Sequence, residues 1–213
     1  MPSSVPPKRV RKTPEARRAE IVTLAATVAL TEGLECLTLR RIADELAVRP
    51  GLISHYFPVA EDLVTEAFAT AATAELDELI PADRPAGQAL GRLARFLART
   101  TGEEYDDLSR LWLNARHLSR FRAGLREQVG RQEALWRDRL TGLITDGVDS
   151  GAFRTDDPAF AAVQILVVLD GLGVHANTDR SGHPPAAKAL AATTAERALG
   201  LAAGTLTEPT AVP

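Results

Sequence analysis

Apolar residues recur at three- and four-residue spacing along most of this chain, which is the period of an amphipathic helix. The first such run consists of Ile21, Leu24, Ala25 and Val28. The predicted helix begins at Pro14, a residue well suited to a first helical position, and it ends at Gly33. No segment alternates apolar and polar residues as a half-buried strand would. The pattern therefore predicts an all-α fold.

Two short helices are predicted next. Thr38 is a suitable N-cap for a helix over about 39–47, whose apolar residues share one face. After a short turn, the sequence PGLISHYF predicts a second helix over about 50–57, with Ile53 and Phe57 on its core side. Two helices of this length joined by such a turn have the dimensions of a helix-turn-helix, whose second helix enters the major groove of DNA.

Longer helices are predicted beyond Pro58. They cover about 60–79, 86–101, 105–119, 122–150, 158–177 and 185–203. The last two are richer in alanine and other apolar residues than surface helices usually are. We expect them either to hold two copies of the chain together, with alanines such as Ala191 and Ala195 facing outward, or to be buried as a pair within one subunit.

The chain is expected to have four parts. These are a disordered basic arm over 1–13, a helix-turn-helix unit over 14–59, a helical regulatory and dimerisation unit over 60–204, and a disordered tail over 205–213. Charge follows the same order, because residues 1–57 carry nine Lys or Arg and six Asp or Glu, whereas the rest carries 16 and 22. A basic N-terminal part in an otherwise acidic chain indicates that this part binds a polyanion.

The composition favours a cytoplasmic protein with no membrane partner. Hydrophobic residues make up 45% of the chain, enough to build a core. No run approaches the ~20 uninterrupted apolar residues of a membrane helix, and the basic N-terminus has no apolar stretch behind it, as a secretory signal would have. The single cysteine, Cys36, excludes an internal disulfide and a cysteine-based zinc site.

Two other function classes would fit an all-helical chain. A small helical enzyme would need a nucleophile–base pair or a metal cluster, but His55, His117, His175 and His183 fall in separate segments. The GLG at 171–173 lies inside a predicted helix rather than after a strand, so it is no dinucleotide-binding loop. A helical adaptor that dimerises without binding DNA is the other alternative. We expect no catalytic residue, metal or cofactor.

From about Ala19 to Leu63 the chain resembles the TetR family of bacterial transcriptional repressors. The resemblance is carried by a first helix that ends in Glu-Gly, by LTLRRIA at 37–43 and by GLISHYFP at 51–58. LISHYF in particular looks like the branch related to choline-responsive, BetI-type repressors, and residues 105–177 look like the C-terminal domain of that branch. The resemblance implies a homodimer that binds a palindromic double-stranded DNA operator and releases it when a small molecule binds.

The resemblance also implies which residues contact DNA. Thr38 and Arg40 match positions that contact phosphates, and Gly51 matches one that permits close approach. Arg49, Pro50, Ser54 and His55 match positions near base edges and phosphates, and Tyr56 matches a backbone contact. Three positions depart from the family pattern: Arg49 replaces a capping serine, Ala47 a glycine and Ala60 a lysine. The basic residues of the arm, Lys8, Arg9, Arg11 and Lys12, are expected either to contact DNA or to form a solvated tail.

Candidate ligand contacts are spread over the C-terminal helices. They are Trp112, His117, Phe121, Trp136 and Asp170. Asp170 lies in an otherwise apolar helix and therefore needs a partner. We expect a structural bond across a dimer contact in preference to a ligand contact. A cationic ligand would suit the branch, with a tryptophan facing a quaternary ammonium group and Asp170 supplying the opposite charge.

Overall fold

The computed structural model describes residues 12–83, 87–102, 105–178 and 185–206, and in these ranges all regular structure is helical. The helices are α1 Pro14–Glu32, α2 Leu39–Glu45, α3 Pro50–Tyr56, α4 Ala60–Leu79, α5 Ala89–Thr100, α6 Asp106–Ser119, α7 Ala123–Asp149, α8 Pro158–Thr178 and α9 Pro185–Ala198, with a 3₁₀ turn at Leu34–Cys36. The expected all-α class is confirmed.

Helix ends follow the capping residues of the sequence. The Thr13 hydroxyl accepts the Ala16 N–H at 3.2 Å to begin α1, and the Thr38 hydroxyl accepts the Arg41 N–H at 3.0 Å to begin α2. Helix α2 is shorter than predicted because Ala47 takes a left-handed φ of 52°. That conformation is easiest for glycine, the residue that the family usually has there.

The three N-terminal helices form a core with the start of α4. Ile53 and Phe57 are buried there, as the spacing of PGLISHYF predicted. The Arg18 guanidinium lies 4.9 Å from the centre of the Phe57 ring, and its side chain also pairs with Glu66 of α4. Arg41 ties α2 to α1 through an ion pair of 2.6 Å with Glu32. These contacts fix the orientation of α3.

Helices α4, α6, α7, α8 and α9 pack into a bundle, with α5 against α7. The prediction that Ala191 and Ala195 face outward is wrong, because both alanines are fully buried (0% exposed) within a single chain. An alanine-rich helix such as α9 has no strongly amphipathic face, so its sequence does not reveal which side packs against the bundle.

The described residues include parts of both predicted terminal segments. Leu206 is buried and its N–H donates to the Glu196 carboxylate at 2.8 Å. At the other end, Lys12 pairs with Glu20 at 2.6 Å. The other arm residues, Lys8, Arg9 and Arg11, lie outside the described residues, as do residues 207–213.

Helix α8 carries an exposed apolar stripe. Its members are Phe160, Val163, Val167 and Val174, with the exposed Gly171 between the last two valines. Among the described helices, α8 alone is long and apolar enough to cross a membrane by length and composition, with a mean hydropathy of 1.8 in its most apolar window. A third of that window is buried in the bundle. A core or interface helix of a globular protein has the same composition.

Candidate functional site

The outer surface of α2 and α3 presents a row of polar side chains and one glycine. Arg40, Arg49, Gly51, Ser54 and His55 are all exposed there, and we call this surface the α2–α3 face. The buried Ile53 and Phe57 hold the opposite side of α3 against the core. The side chain of Arg40 is 86% exposed, and its ion pair with Asp44 is long at 4.0 Å. The face therefore offers polar and positively charged groups to a partner outside the chain.

Other predicted DNA contacts take part in local structure. The Thr38 oxygen caps α2, which leaves its O–H to donate elsewhere. Arg49 stands at the N-cap of α3 and makes no capping bond, as expected for an arginine in place of serine. The half-buried Tyr56 packs edge-to-face with His55, with ring centres 5.3 Å apart. The Ser54 hydroxyl donates to the Pro50 carbonyl at 3.3 Å.

A cavity of about 240 Å³ lies among α6, α7 and α8, and we call it the central cavity. Its aromatic and aliphatic lining consists of Tyr105, Trp112, Leu113, Trp136, Val163, Leu166, Val167 and Leu169. Its charged lining consists of Arg116, Glu133, Arg137 and Asp170. The two tryptophans pack edge-to-face with ring centres 6.1 Å apart. The cavity thus combines aromatic walls with charges of both signs.

Asp170 bonds within its own chain. Two nitrogens of Arg116 donate to the two Asp170 oxygens at 3.0 and 2.9 Å, so the partner that Asp170 needs is present within its own chain. The Arg116 Nε also donates to Glu133 at 3.0 Å, and the guanidinium carbon lies 5.2 Å from the centre of the Trp112 ring. Burial raises the pKa of Asp170, and the Arg116 charge opposes this rise.

A third carboxyl group lies behind the cavity wall. Glu75 of α4 is 5% exposed, and one of its oxygens accepts the Trp112 indole N–H at 3.3 Å. Burial raises the pKa of Glu75 to about 8, and hydrogen bonds from Trp112 and Tyr105 offset only part of that rise. Glu75 is therefore largely protonated at neutral pH.

The structure brings three of the five candidate ligand residues together and separates the other two. Trp112, Trp136 and Asp170 line the central cavity, whereas His117 and Phe121 do not. The rings of His117 and Phe121 pack edge-to-face at 5.8 Å, and Phe121 is 74% exposed. Phe121 lines a second, more open groove between the N-terminal helices and the start of α7.

Sequence reasoning missed the charged partners of these aromatic residues. Arg116 follows Trp112 by four positions and Glu133 precedes Trp136 by three, so each pair shares a helix face. Projecting each helix would have placed each charged residue on the same face as its tryptophan. Glu75 gives a further signal, since it follows the apolar Ala71 and Ala72 by four and three positions and so shares their helix face.

Helix α6 touches both the cavity and the N-terminal helices. One face of α6 supplies Trp112 and Arg116 to the cavity. On another face, a nitrogen of Arg110 donates to the Leu30 carbonyl of α1 at 3.1 Å and reaches that of Thr31 at 3.5 Å. Next to this contact, Gly33 has a φ of 100°, which favours glycine. A Cβ there would also lie 2.8 Å from the Glu35 Oε2 and 2.9 Å from the Asn114 Oδ1 of α6, so both side chains would have to move.

The chain is similar to known proteins in sequence and in fold. Residues 89–200, slightly more than half of the chain, match the family model of the BetI-type transcriptional repressor C-terminal domain. No curated protein gives a significant match. Among solved structures, a transcriptional regulator from Saccharomonospora viridis in complex with choline is 21% identical, with a TM-score of 0.68 and coverage of 87% of this chain and 98% of that one.

Two further structures have the same fold. A TetR transcription regulator from Haloarcula marismortui is 21% identical with a TM-score of 0.72, and it covers 86% of this chain and 98% of its own. The reduced form of NemR from Escherichia coli is 14% identical with a TM-score of 0.69, covering 87% and 98%. The family match and the helix-turn-helix geometry agree. The chain belongs to the TetR family of transcriptional regulators, in the group with a BetI-type C-terminal domain.

Proposed function

We propose that this protein is a ligand-responsive repressor without enzymatic activity, acting in the cytoplasm. Two copies bind a palindromic operator through residues 14–59, and a small molecule that enters the central cavity releases them. Residues 60–204 hold the cavity and the dimer contact. The strongest support comes from α6, because this one helix lines the cavity and also bonds to the end of α1.

The α2–α3 face supports the DNA contacts. Arg40, Arg49, Ser54 and His55 are exposed on the two helices, and none of them belongs to the core. Gly51 supports the same assignment. A Cβ at Gly51 would meet no atom within 4 Å, so nothing in the described part of the chain requires glycine there. Close approach of a DNA backbone supplies a reason for it.

The exposed stripe on α8 supports dimerisation. Phe160, Val163, Val167 and Val174 recur at intervals of three, four and seven residues, so they lie on one face. A two-fold interface would bring the same stripe of a second copy against this one. Val163 and Val167 also line the central cavity, so a partner on the stripe would lie beside the cavity.

The lining of the central cavity favours an organic cation as the effector. Trp112, Trp136 and Tyr105 supply aromatic surface, and Asp170 and Glu133 supply negative charge. The regulator from Saccharomonospora viridis was solved with choline, which is an organic cation. We propose the same broad ligand class for this chain.

Selection of genomic DNA fragments by the purified protein tests the proposal. We expect recovered fragments to share a palindrome, and footprinting to show two protected half-sites with major-groove centres ~34 Å apart or somewhat more. Affinity should fall steeply with salt, because each phosphate contact releases counterions. Enrichment of no sequence, or protection of a single asymmetric half-site, would contradict the proposal. A helical adaptor or a small enzyme would give the first of these results.

A further inference from the structure

A cation already occupies the most polar corner of the central cavity. The Arg116 guanidinium lies over the Trp112 ring, with its carbon 5.2 Å from the ring centre. It donates to both oxygens of Asp170 at 3.0 and 2.9 Å and to Glu133 at 3.0 Å. An aromatic face and carboxylates are the groups with which proteins bind organic cations. Here the Arg116 side chain takes the Trp112 face and both carboxylates.

The charges at this corner are unequal. Two carboxylates meet one guanidinium, so the group of Arg116, Asp170 and Glu133 carries a net negative charge. Arg137 also lines the cavity, but its side chain is exposed and water screens its charge. Beside the charged corner, Val163, Leu166 and Leu169 leave an apolar space for the body of a ligand.

We infer that Arg116 acts as a built-in occupant of the cation site, and that the effector is an organic cation with N–H donors that takes the place of its guanidinium group. This inference rests on the proposed function and narrows the class of its ligand. The effector is then a guanidinium compound or a primary amine with a small apolar body.

Hydrogen bonding is the reason for requiring N–H donors. When Arg116 leaves, three donated hydrogen bonds to Asp170 and Glu133 are lost. The Asp170 and Glu133 side chains are 50% and 44% exposed, so water replaces part of these donors and the ligand must replace the rest. A guanidinium or primary ammonium group replaces those donors, whereas a quaternary ammonium group has no N–H and supplies charge alone. This separates the inferred class from choline-like ligands.

The displacement also has a mechanical consequence. The bond between Arg116 and Asp170 ties α6 to α8, so an effector that displaces Arg116 releases α6 at that point. The same helix holds the end of α1 through Arg110. Binding in the cavity is thereby coupled to the N-terminal helices through one helix.

Tryptophan emission of the full-length protein, free of DNA, tests the inference directly. The chain has only two tryptophans, and both line the central cavity. The probes are butylguanidinium, butyltrimethylammonium and pentanoate, which share an aliphatic chain and differ in the head group. For the wild-type chain we expect butylguanidinium to bind more tightly than butyltrimethylammonium, and pentanoate not to bind.

Arg116→Met removes the internal cation and keeps an unbranched side chain. We expect it to bind butylguanidinium about tenfold more tightly, because the competing occupant is gone. The matched control is Arg95→Met, an exposed arginine of α5 that does not line the cavity, and we expect it to bind like the wild type. The double variant with Arg116→Met and Asp170→Asn should lose the tighter binding of butylguanidinium.

If Arg116→Met fails to fold, Arg116→Lys serves in its place. It should bind butylguanidinium more tightly than the wild type, by a smaller factor, because lysine keeps the charge without the forked donors.

Several outcomes would overturn the inference. One is equal or weaker binding of butylguanidinium by the folded Arg116 variants, which would make the ion pair purely structural. Tighter binding of butyltrimethylammonium than butylguanidinium would refute the need for donors. Pentanoate binding that Arg116→Met abolishes would make Arg116 an anion receptor. Because no DNA is present, a failure here is separate from the proposed function, which genomic selection tests on its own.

Discussion

Gly51 lies in the first turn of α3, where a Cβ would find no atom within 4 Å. Its backbone is not in the left-handed region that favours glycine. Folding alone would therefore prefer alanine, because glycine is about 1 kcal/mol less favourable than alanine inside a helix. Under the proposed function, the glycine is kept for the space that DNA requires.

We predict that Gly51→Ala raises the free energy of unfolding by up to about 1 kcal/mol and weakens operator binding at least about tenfold. Urea unfolding and gel-shift titration measure the two effects on the same preparation. The matched control is Gly130→Ala in α7, another exposed helical glycine with open space around it. This control should gain stability without losing affinity. An operator affinity of Gly51→Ala equal to that of the wild type would contradict the assignment of α3 to the DNA contact.

Arg49 and His55 lie at different places along α3, so their loss should have different effects. Arg49 stands at the N-cap, where a phosphate is the expected contact, and His55 is exposed further along the helix, over the base edges in our assignment. Arg49→Ala should weaken binding to all sequences and reduce the salt slope by about one phosphate. His55→Ala should cost about 1–3 kcal/mol on the operator and relax preference at one position per half-site. An unchanged ratio of operator to scrambled-DNA affinity would exclude His55 from base readout.

Glu75 predicts a specific dependence of stability on pH. Burial raises its folded pKa to about 8 from an ordinary 4.5. The folded state therefore holds a proton that the unfolded state loses, so stability should fall as pH rises from about 4.5 to about 8, by up to about 1.4 kcal/mol per pH unit. Glu75→Gln stays neutral and should lack this contribution.

The difference in unfolding free energy between Glu75→Gln and the wild type isolates this group. Urea unfolding at pH 5, 6, 7 and 8 should show the advantage of Glu75→Gln growing with pH. Protein concentration must be held constant, because the stability of a dimer depends on it. Parallel pH profiles would mean that Glu75 titrates near its ordinary value in the folded protein.

The sequence predicted some side chains of the central cavity and missed others. Trp112, Trp136 and Asp170 were found because they are unusual residues in their helices, and the structure brings them to one cavity. Phe121 was grouped with them because it is close in sequence, but it lies just past the end of α6 and points elsewhere. Arg116 was missed because an arginine on a helix usually faces water. Only the packing of α6 against α8 shows that it meets Asp170.

Secondary structure was the most predictable level of this fold. Pro14, Thr38, Pro50 and Pro158 each begin a helix or cap one, as their backbone and hydroxyl chemistry predicts. The α2–α3 turn departs from the prediction because Ala47 adopts a left-handed conformation that alanine seldom takes. The buried side of α9 was not predictable, since an alanine-rich helix offers similar surfaces all round.

The contact between α6 and α1 gives a testable link between two elements. Arg110 bonds the last carbonyls of α1, which have no partners within the helix. Arg110→Met keeps the side-chain stem and loses these donors. We predict about fivefold faster hydrogen exchange at the C-terminal end of α1, equivalent to about 1 kcal/mol.

Arg99→Met is the matched control for this test. Arg99 of α5 donates to the Glu78 carbonyl at 3.5 Å near the end of α4. Like Arg110, it therefore bonds the end of another helix, but it does so within the C-terminal helices. Its replacement should loosen the end of α4 and leave α1 unchanged. Unaltered exchange at the end of α1 in Arg110→Met would mean that packing alone joins α6 to α1.

The exposed stripe of α8 makes a prediction about assembly. Val174 is 44% exposed in the single chain and does not line the central cavity, so a charge there should leave the fold and the cavity intact. In a two-fold interface the substitution occurs twice, and each charge would be buried against apolar residues of the partner. Val174→Glu should therefore convert a dimer into a monomer at micromolar concentration in analytical ultracentrifugation.

Val174 tests the dimer contact more cleanly than the buried alanines of α9 do. A charge at Ala191 or Ala195 would unfold the chain, because both alanines are buried inside it, and the loss of a dimer would then have no clear meaning. Ala98→Glu, on the exposed side of α5, is the matched control and should remain dimeric. Phe160→Glu, at the other end of the stripe, should act like Val174→Glu. If both stripe variants stay dimeric while keeping their helical circular dichroism, the interface lies elsewhere and the stripe needs another explanation.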